Sequence, residues 1–197
     1  MIIRRNLWRW FLIFAAVFVG LPLLVAAGLV YRYSESTTDV RRVINAIAPE
    51  EMAIPALAVV VHARLDGRFH ANAWAARQVI WAIHDQDDPK GDWHLRNMAQ
   101  TILIPFQTTE RERAALVWSR TGFLDGGGLA FGAEKYFGKM PAELSEEEMV
   151  RLWVIARSPR RVDRDPAKLN DDVAWSMRIW RGEIPPRTLR KLSNSGG

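Results

Sequence analysis

The stretch GGGLAFGAEKYFGKMPAELSEEEMVRLWVIARSP, residues 126–159, carries the strongest local structural signals in the chain. Its three opening glycines favour a turn, because glycine loses more conformational freedom in regular structure than any other residue. Leu129–Phe137 follows as a short predicted helix, and Gly138 stands where a left-handed C-terminal cap would fall. The first half of the stretch therefore predicts a turn followed by a capped helix.

The second half of the stretch predicts a longer helix. Ser145 and Glu148 have the spacing of a capping box, in which each side chain accepts a hydrogen bond from the backbone of the other residue. The helix should end at Ser158-Pro159, because the residue before a proline disfavours helical backbone. Its predicted buried stripe consists of Met149, Leu152, Trp153 and Ala156.

Helical patterns continue on both sides of this stretch, so the predicted fold class is mainly α. The run Ile54–Val61 fits a buried strand or a buried helix, since periodicity does not separate the two. Elsewhere the apolar residues recur at three and four positions, and alternation with period two is absent. The predicted helices cover residues 70–88, the first two turns of residues 93–106 with a stop at Pro105, residues 108–123 with Thr108 or Thr109 as N-cap, and the region after residue 170.

The N-terminal segment is a candidate membrane anchor. Trp10–Val30 is an uncharged apolar run of 21 residues, and a helix of that length crosses roughly 30 Å of hydrocarbon. Arg4, Arg5 and Arg9 precede the run and favour a cytoplasmic N-terminus. A cleaved signal peptide remains the alternative. The predicted organisation is a cytoplasmic N-terminus and anchor over residues 1–33, a polar juxtamembrane spacer over 34–50, a globular domain over 51–190 and a disordered tail over 191–197.

Composition excludes several functional classes. The chain has no cysteine, so it has neither a disulfide framework nor a thiolate zinc site. Its net charge of +5 comes from its two ends, because residues 1–33 contain arginines and no acid and residues 157–191 hold ten basic against five acidic side chains. The remaining residues are net acidic. A nucleic-acid partner is therefore not expected.

The order Tyr-Phe-Gly-Lys, then Leu-Ser-x-x-Glu, then a helix ended by proline is similar to a segment of the peptidoglycan glycosyltransferases, the transglycosylase domains of penicillin-binding proteins. This resemblance implies a lysozyme-like α domain behind one transmembrane helix, located in the periplasm and bound to the inner membrane. It also implies lipid II as the substrate and glycan strands as the product. The matching residues are Gly132, Tyr136, Phe137, Gly138, Lys139, Leu144, Ser145, Glu148, Pro159 and Pro166.

The same resemblance implies a set of site residues. The segment LDGRFH, residues 65–70, is similar to the family pattern E-D-x-x-F-x-x-H, whose glutamate takes a proton from the attacking sugar hydroxyl. Leu65 stands at the glutamate position and cannot accept a proton. Asp66 is then the implied base and Glu112 the second carboxylate. The alternative role for Asp66 is to cap a turn with Gly67. The implied substrate-binding residues are Arg68, Phe69, Gln100 and Lys139.

Three functions remain open. The first is a transglycosylase of weak or absent activity, and the second is a non-catalytic scaffold or regulator that binds other cell-wall synthesis proteins. The third is a muramidase-type hydrolase, which also needs a carboxylic acid in a cleft. The resemblance implies a divalent cation, Mg²⁺ or Mn²⁺, that helps the pyrophosphate leave. The four histidines themselves lack metal-ligand spacing.

Overall fold

Helices make up most of the computed structural model, which describes residue 14 and residues 16–84 and 92–186. The predicted mainly α fold class is confirmed. A π-helical segment, Ala16–Gly20, leads into the first α-helix. In chain order the α-helices are α1 Leu21–Tyr33, α2 Thr37–Asn45, α3 Pro49–Met52, α4 Ala56–Asp66, α5 Arg68–Ile83, α6 Trp93–Gln107, α7 Glu110–Ser119, α8 Leu129–Phe137, α9 Glu146–Arg157, α10 Arg161–Arg164 and α11 Pro166–Trp180.

Helix α9 is the centre of the core. It packs against α4, α8 and α11. The predicted stripe of Met149, Leu152 and Trp153 is buried, and Ala156 is partly buried. Val150, Val154 and Ile155 are buried as well, so the helix is enclosed on more sides than a single stripe requires. This wider burial is what a helix surrounded by several others should show.

The local signals around α8 and α9 are confirmed. Gly138 ends α8 in the left-handed conformation, with φ of 62°. Ser145 and Glu148 form the capping box at the start of α9, and Ser158 ends that helix. The glycine run differs in part from the predicted turn, because Gly126–Gly127 is strand β2, which pairs antiparallel with β1 (Gly122–Phe123). Gly128 follows as the N-cap of α8, with φ of 89°.

The run at residues 54–61, which the sequence left open between strand and helix, is helical from Ala56, where α4 begins after its N-cap Pro55. Helix α5 then follows after Gly67 alone, whose φ of 72° lets the chain turn sharply. Helices α5 and α6 pack side by side, and α7 lies against α4 and α5. Thr109 caps α7 through a capping box with Glu112, as one of the two predicted caps.

Two segments differ from the prediction. The polar spacer predicted over residues 34–50 contains α2, whose Val40, Val43 and Ile44 are buried in the core. The predicted stop at Pro105 is wrong, because α6 continues to Gln107. Proline lacks the N–H that would bond four residues back, but the fully buried Ile104 accepts bonds from both the N–H and the hydroxyl of Thr108. The burial of Ile104 and the two bonds from Thr108 therefore outweigh the missing bond.

The N-terminal helix α1 has no buried residue and packs against α6. Within the described part of the chain, no single helix has both the length and the hydropathy of a membrane span. Val17–Tyr33 and Thr37–Asn45 reach that threshold together, as a pair bent by 41°. The first residues of the predicted anchor, the last four residues of the helix predicted over 70–88, and the predicted tail lie outside the described residues.

Candidate functional site

Asp66 is a buried carboxylate at the C-terminal end of α4. It is 8% exposed, and its Oδ1 accepts a hydrogen bond from Nη1 of Arg157, the last residue of α9. The Arg157 guanidinium also lies over the ring of Trp74, 5.2 Å from its centroid. Asp66 is thus held by an ion pair inside the fold rather than presented at an open cleft.

The electrostatics of Asp66 are set by burial. Desolvation raises the pKa of Asp66 above its ordinary value, against the opposing effects of Arg157 and His70. Oδ2 of Asp66 and Nε1 of Trp153 are both buried and lack a hydrogen-bond partner of normal geometry among the described residues. The Trp153 N–H is still close enough to lower the pKa of Asp66 somewhat. A carboxyl in this position stabilises the fold through Arg157 and has little access to a substrate hydroxyl.

Leu65, which stands at the glutamate position of the family pattern, is 6% exposed and belongs to the hydrophobic core. A glutamate in the same place would bring a second carboxylate into the core beside Asp66. Burying such a charge without a partner is unfavourable. An apolar side chain such as that of Leu65 is therefore favoured at this buried position.

Glu112 lies in the first turn of α7 and has two structural partners. It closes the capping box with Thr109, and its Oε1 accepts a hydrogen bond from Arg41 of α2. Burial raises the pKa of Glu112, but the Thr109 N–H and the Arg41 guanidinium outweigh this effect and hold the pKa below its ordinary value. Glu112 is therefore ionised and joins α2 to α7.

Gln100 is fully buried and connects α6 to the turn between α1 and α2. Its Oε1 accepts from the Glu35 N–H at 2.9 Å, and its Nε2 donates to Gln107 Oε1 at 2.7 Å. Gln107 donates in turn to the Glu35 carbonyl at 3.0 Å. The Glu35 carboxylate lies 2.7 Å from Nε2 of His84 and 3.4 Å from Nη1 of Arg96. We call these five residues the Glu35 cluster.

The remaining predicted binding residues lie at the surface. Lys139 donates to Glu148 Oε1 at 2.6 Å, beside the N-terminal end of α9. Arg68 is exposed, and Phe69 is 64% exposed with its ring edge-on to His70. These two residues begin α5, directly after Asp66 and Gly67.

The structure brings Asp66, Arg68 and Phe69 together but separates them from the other predicted residues. Lys139 contacts α9 at Glu148 and Asp66 contacts it at Arg157, nine residues further along. At 1.5 Å per residue these points are about 14 Å apart. Glu112 is also remote from Asp66, because the preceding Arg111 bonds the carbonyl of Ile54 at the opposite end of α4.

Sequence reasoning missed His62 and Arg157. His62 is 3% exposed and contacts Trp153 edge-to-face at 5.4 Å. Burial, together with the positive charges of Arg113 and Arg157, lowers the pKa of His62 to about 3. The spacing of His62 and Asp66, one helical turn apart, was the available signal. For Arg157 the sequence offered no signal beyond its place at the end of the predicted helix.

The side chains that the structure describes do not fit the divalent cation implied by the resemblance. Asp66 and Glu112 each pair with an arginine. Within residues 14, 16–84 and 92–186, no three histidine or acidic side chains converge in the way that a metal site requires.

No model of a known protein family matches this chain, and no curated protein matches it either.

Proposed function

We propose that this chain is a membrane-anchored, non-catalytic relative of the peptidoglycan glycosyltransferases. It would serve cell-wall synthesis as a scaffold or regulator. The motif resemblance over residues 129–166 and the mainly helical fold support the family assignment. The apolar N-terminal run supports an inner-membrane anchor with the domain in the periplasm. Lipid II or a glycan strand, and other cell-wall synthesis proteins, are the proposed partners.

The observation that carries the non-catalytic assignment is the buried ion pair between Asp66 and Arg157. A general base must reach the proton that it removes, through a direct hydrogen bond or through one water. Asp66 is 8% exposed and engaged with Arg157, while Leu65 lies in the core. Glu112 is engaged with Arg41 and Thr109. Neither predicted carboxylate is available for proton transfer in this arrangement.

The test is polymerisation of lipid II by the purified full-length protein. Wild type and Asp66→Asn should both form no glycan chains, with circular dichroism confirming that each is folded. Asp171→Asn, at an exposed aspartate of α11, serves as the matched control. Robust polymerisation that Asp66→Asn abolishes would overturn the proposal and make Asp66 the base.

Robust polymerisation by both proteins would also overturn the proposal and would move the search to Glu50, Glu51, Glu110 and Glu112. Binding is a separate measurement. Vesicles that contain lipid II should retain more of the protein than matched vesicles without it. Equal retention would leave only protein partners for the scaffold role.

The muramidase alternative needs a carboxylic acid in a cleft, and no observation among the described residues favours it.

A further inference from the structure

Helix α6 carries an exposed apolar stripe that its own packing leaves uncovered. The stripe consists of Leu95, Met98, Ile102 and Phe106, whose spacings of three and four residues place them on one side of a helix. Ile102 is 47% exposed and Phe106 is 84% exposed. Four large apolar side chains in a row at a surface indicate a contact with something apolar.

The other sides of α6 are already occupied. Ala99, Gln100 and Ile104 are buried, and the helix packs against α5 and α1. Gln100 and Gln107 are bonded to Glu35, which fixes the rotation of α6 relative to the start of the domain. The helix therefore cannot turn the stripe inward without breaking these bonds.

The neighbouring helix α1 indicates what covers the stripe. Leu23, Leu24 and Val25 follow one another in sequence and are 64%, 71% and 54% exposed. Consecutive residues of a helix point in directions about 100° apart. A protein partner with one flat surface covers one side of a helix, whereas lipid covers all sides. A helix that exposes apolar side chains all round is therefore suited to lipid.

The charges of the two helices agree with this environment. Neither α1 nor α6 contains an acidic residue. The basic side chains are Arg32 in the last turn of α1, and His94 and Arg96 in the first turn of α6. Inserting the stripe in a bilayer would therefore require no carboxylate to enter the apolar layer.

We propose that α6 is a second membrane contact of this protein, with the stripe inserted in the apolar layer of the bilayer that receives α1. The inference rests on the proposed membrane anchor and adds a surface to it. Helix α6 then lies along the bilayer as an interfacial helix, with its buried side against the domain and its stripe in lipid.

The chain has no cysteine, so single cysteines can be labelled selectively. Ile102→Cys and Phe106→Cys, in the full-length protein, are labelled with a polarity-sensitive fluorophore and reconstituted in vesicles of phosphatidylcholine and phosphatidylglycerol. We expect both labels to be quenched by lipids that carry a nitroxide in the acyl chain and to be protected from aqueous iodide. Circular dichroism verifies that each labelled variant is folded.

Two further positions complete the experiment. Met140→Cys is the matched control, because Met140 is an apolar residue 63% exposed outside α1 and α6; its label should be quenched by iodide and not by the lipids. Leu24→Cys reports on α1 itself. The inference would be overturned if iodide quenches the labels at positions 102 and 106 while the label at position 24 is exposed to lipid. The proposed anchor would stand in that case.

The other outcomes are equally decisive. If iodide also quenches the label at position 24, the anchor proposal fails and this inference fails with it. If the labels at 102 and 106 are protected from both quenchers while position 24 is lipid-exposed, protein rather than lipid covers the stripe. A dependence of that protection on the protein-to-lipid ratio would identify a second copy of the chain as the cover, and the inference would again be overturned.

Discussion

Asp66 and Arg157 form a buried ion pair that joins the C-terminal end of α4 to the C-terminal end of α9. The side chains are 6% and 20% exposed, so water screens their attraction only weakly. Trp74 lies against the guanidinium from α5. Arg157 thus connects three helices, α4, α5 and α9, and its removal should destabilise the whole domain.

Replacing Arg157 with methionine should lower the free energy of unfolding by about 3–5 kcal/mol, because it leaves a buried carboxyl without its partner. Thermal unfolding of the full-length protein in detergent, followed by circular dichroism, measures the loss. Arg151→Met on the same helix is the control, since no ion pair involving Arg151 is found among the described residues. Adding Asp66→Asn to Arg157→Met should recover part of the stability. Equal melting of Arg157→Met and Arg151→Met would contradict a structural ion pair.

His62 should make the protein sensitive to acid. The unfolded chain binds a proton at this residue below about pH 6.5, whereas the folded protein keeps His62 neutral down to its pKa of about 3. Stability from this group is therefore present above pH 6.5 and is lost as pH falls, by about 1.4 kcal/mol for each pH unit. Denaturant unfolding between pH 7 and pH 4 measures the slope.

The variant His62→Gln should reduce that slope, and His94→Gln, at an exposed histidine, should leave it unchanged. Asp66 acts in the opposite direction, because its raised pKa makes the folded state bind a proton more readily than the unfolded one. The comparison between variants isolates the contribution of His62. A wild-type slope in His62→Gln would show that this histidine is charged in the folded protein.

Ser145→Ala should destabilise the protein by about 1 kcal/mol through loss of the N-cap of α9. The Ser145 hydroxyl accepts from the Glu148 N–H, and Glu148 bonds back to the Ser145 N–H. Ser176→Ala, inside α11, is the control and should have a much smaller effect. If both substitutions shift the melting temperature equally, the cap does not contribute as described.

Trp153→Ala should cost about 3–5 kcal/mol, as expected for a large aromatic side chain removed from a core. Its ring packs edge-to-face with that of Trp118 at 4.8 Å. Trp175→Ala, at a partly buried tryptophan of α11, should cost less. Urea unfolding of the three proteins gives the ranking, and equal losses would mean that Trp153 is less enclosed than the structure has it.

Gly132 and Gly138 should resist substitution for different reasons. A Cβ at Gly132 would lie 2.4 Å from the Phe123 ring, so Gly132→Ala should cost about 1–3 kcal/mol through overpacking. Gly138 has open space but a positive φ, so Gly138→Ala should cost about 1–2 kcal/mol in backbone strain. Adding Phe123→Leu should rescue only Gly132→Ala in a thermal melt. Rescue of both, or of neither, would contradict this assignment.

Short-range signals predicted much of this fold. The capping box at Ser145, the cap at Thr109 and the left-handed Gly138 each depend on residues within four positions, and all three were confirmed. Pro105 shows the limit of such reasoning. A proline disfavours continuation of a helix locally, but bonds from Gln107 to Glu35, more than seventy residues away, hold the last turn of α6 in place.

The candidate site was less predictable, because its properties come from pairings between distant segments. The motif around Asp66 gives no sign that Arg157, 91 residues further on, would occupy the carboxylate. In the same way, Glu112 is committed to Arg41 and Gln100 to Glu35. A motif specifies which side chain stands at a position, and only the fold specifies whether that side chain is free to act.

The Glu35 cluster has a mechanical consequence. Only Ser34, Glu35 and Ser36 separate α1 from α2, and the central residue of the three is bonded through its N–H, its carbonyl and its carboxylate. If the proposed anchor includes α1, this short and fully bonded connection holds the domain at a fixed distance and orientation relative to the membrane. A partner would then have to bind the domain in that position, because no flexible linker lets the domain move toward the partner.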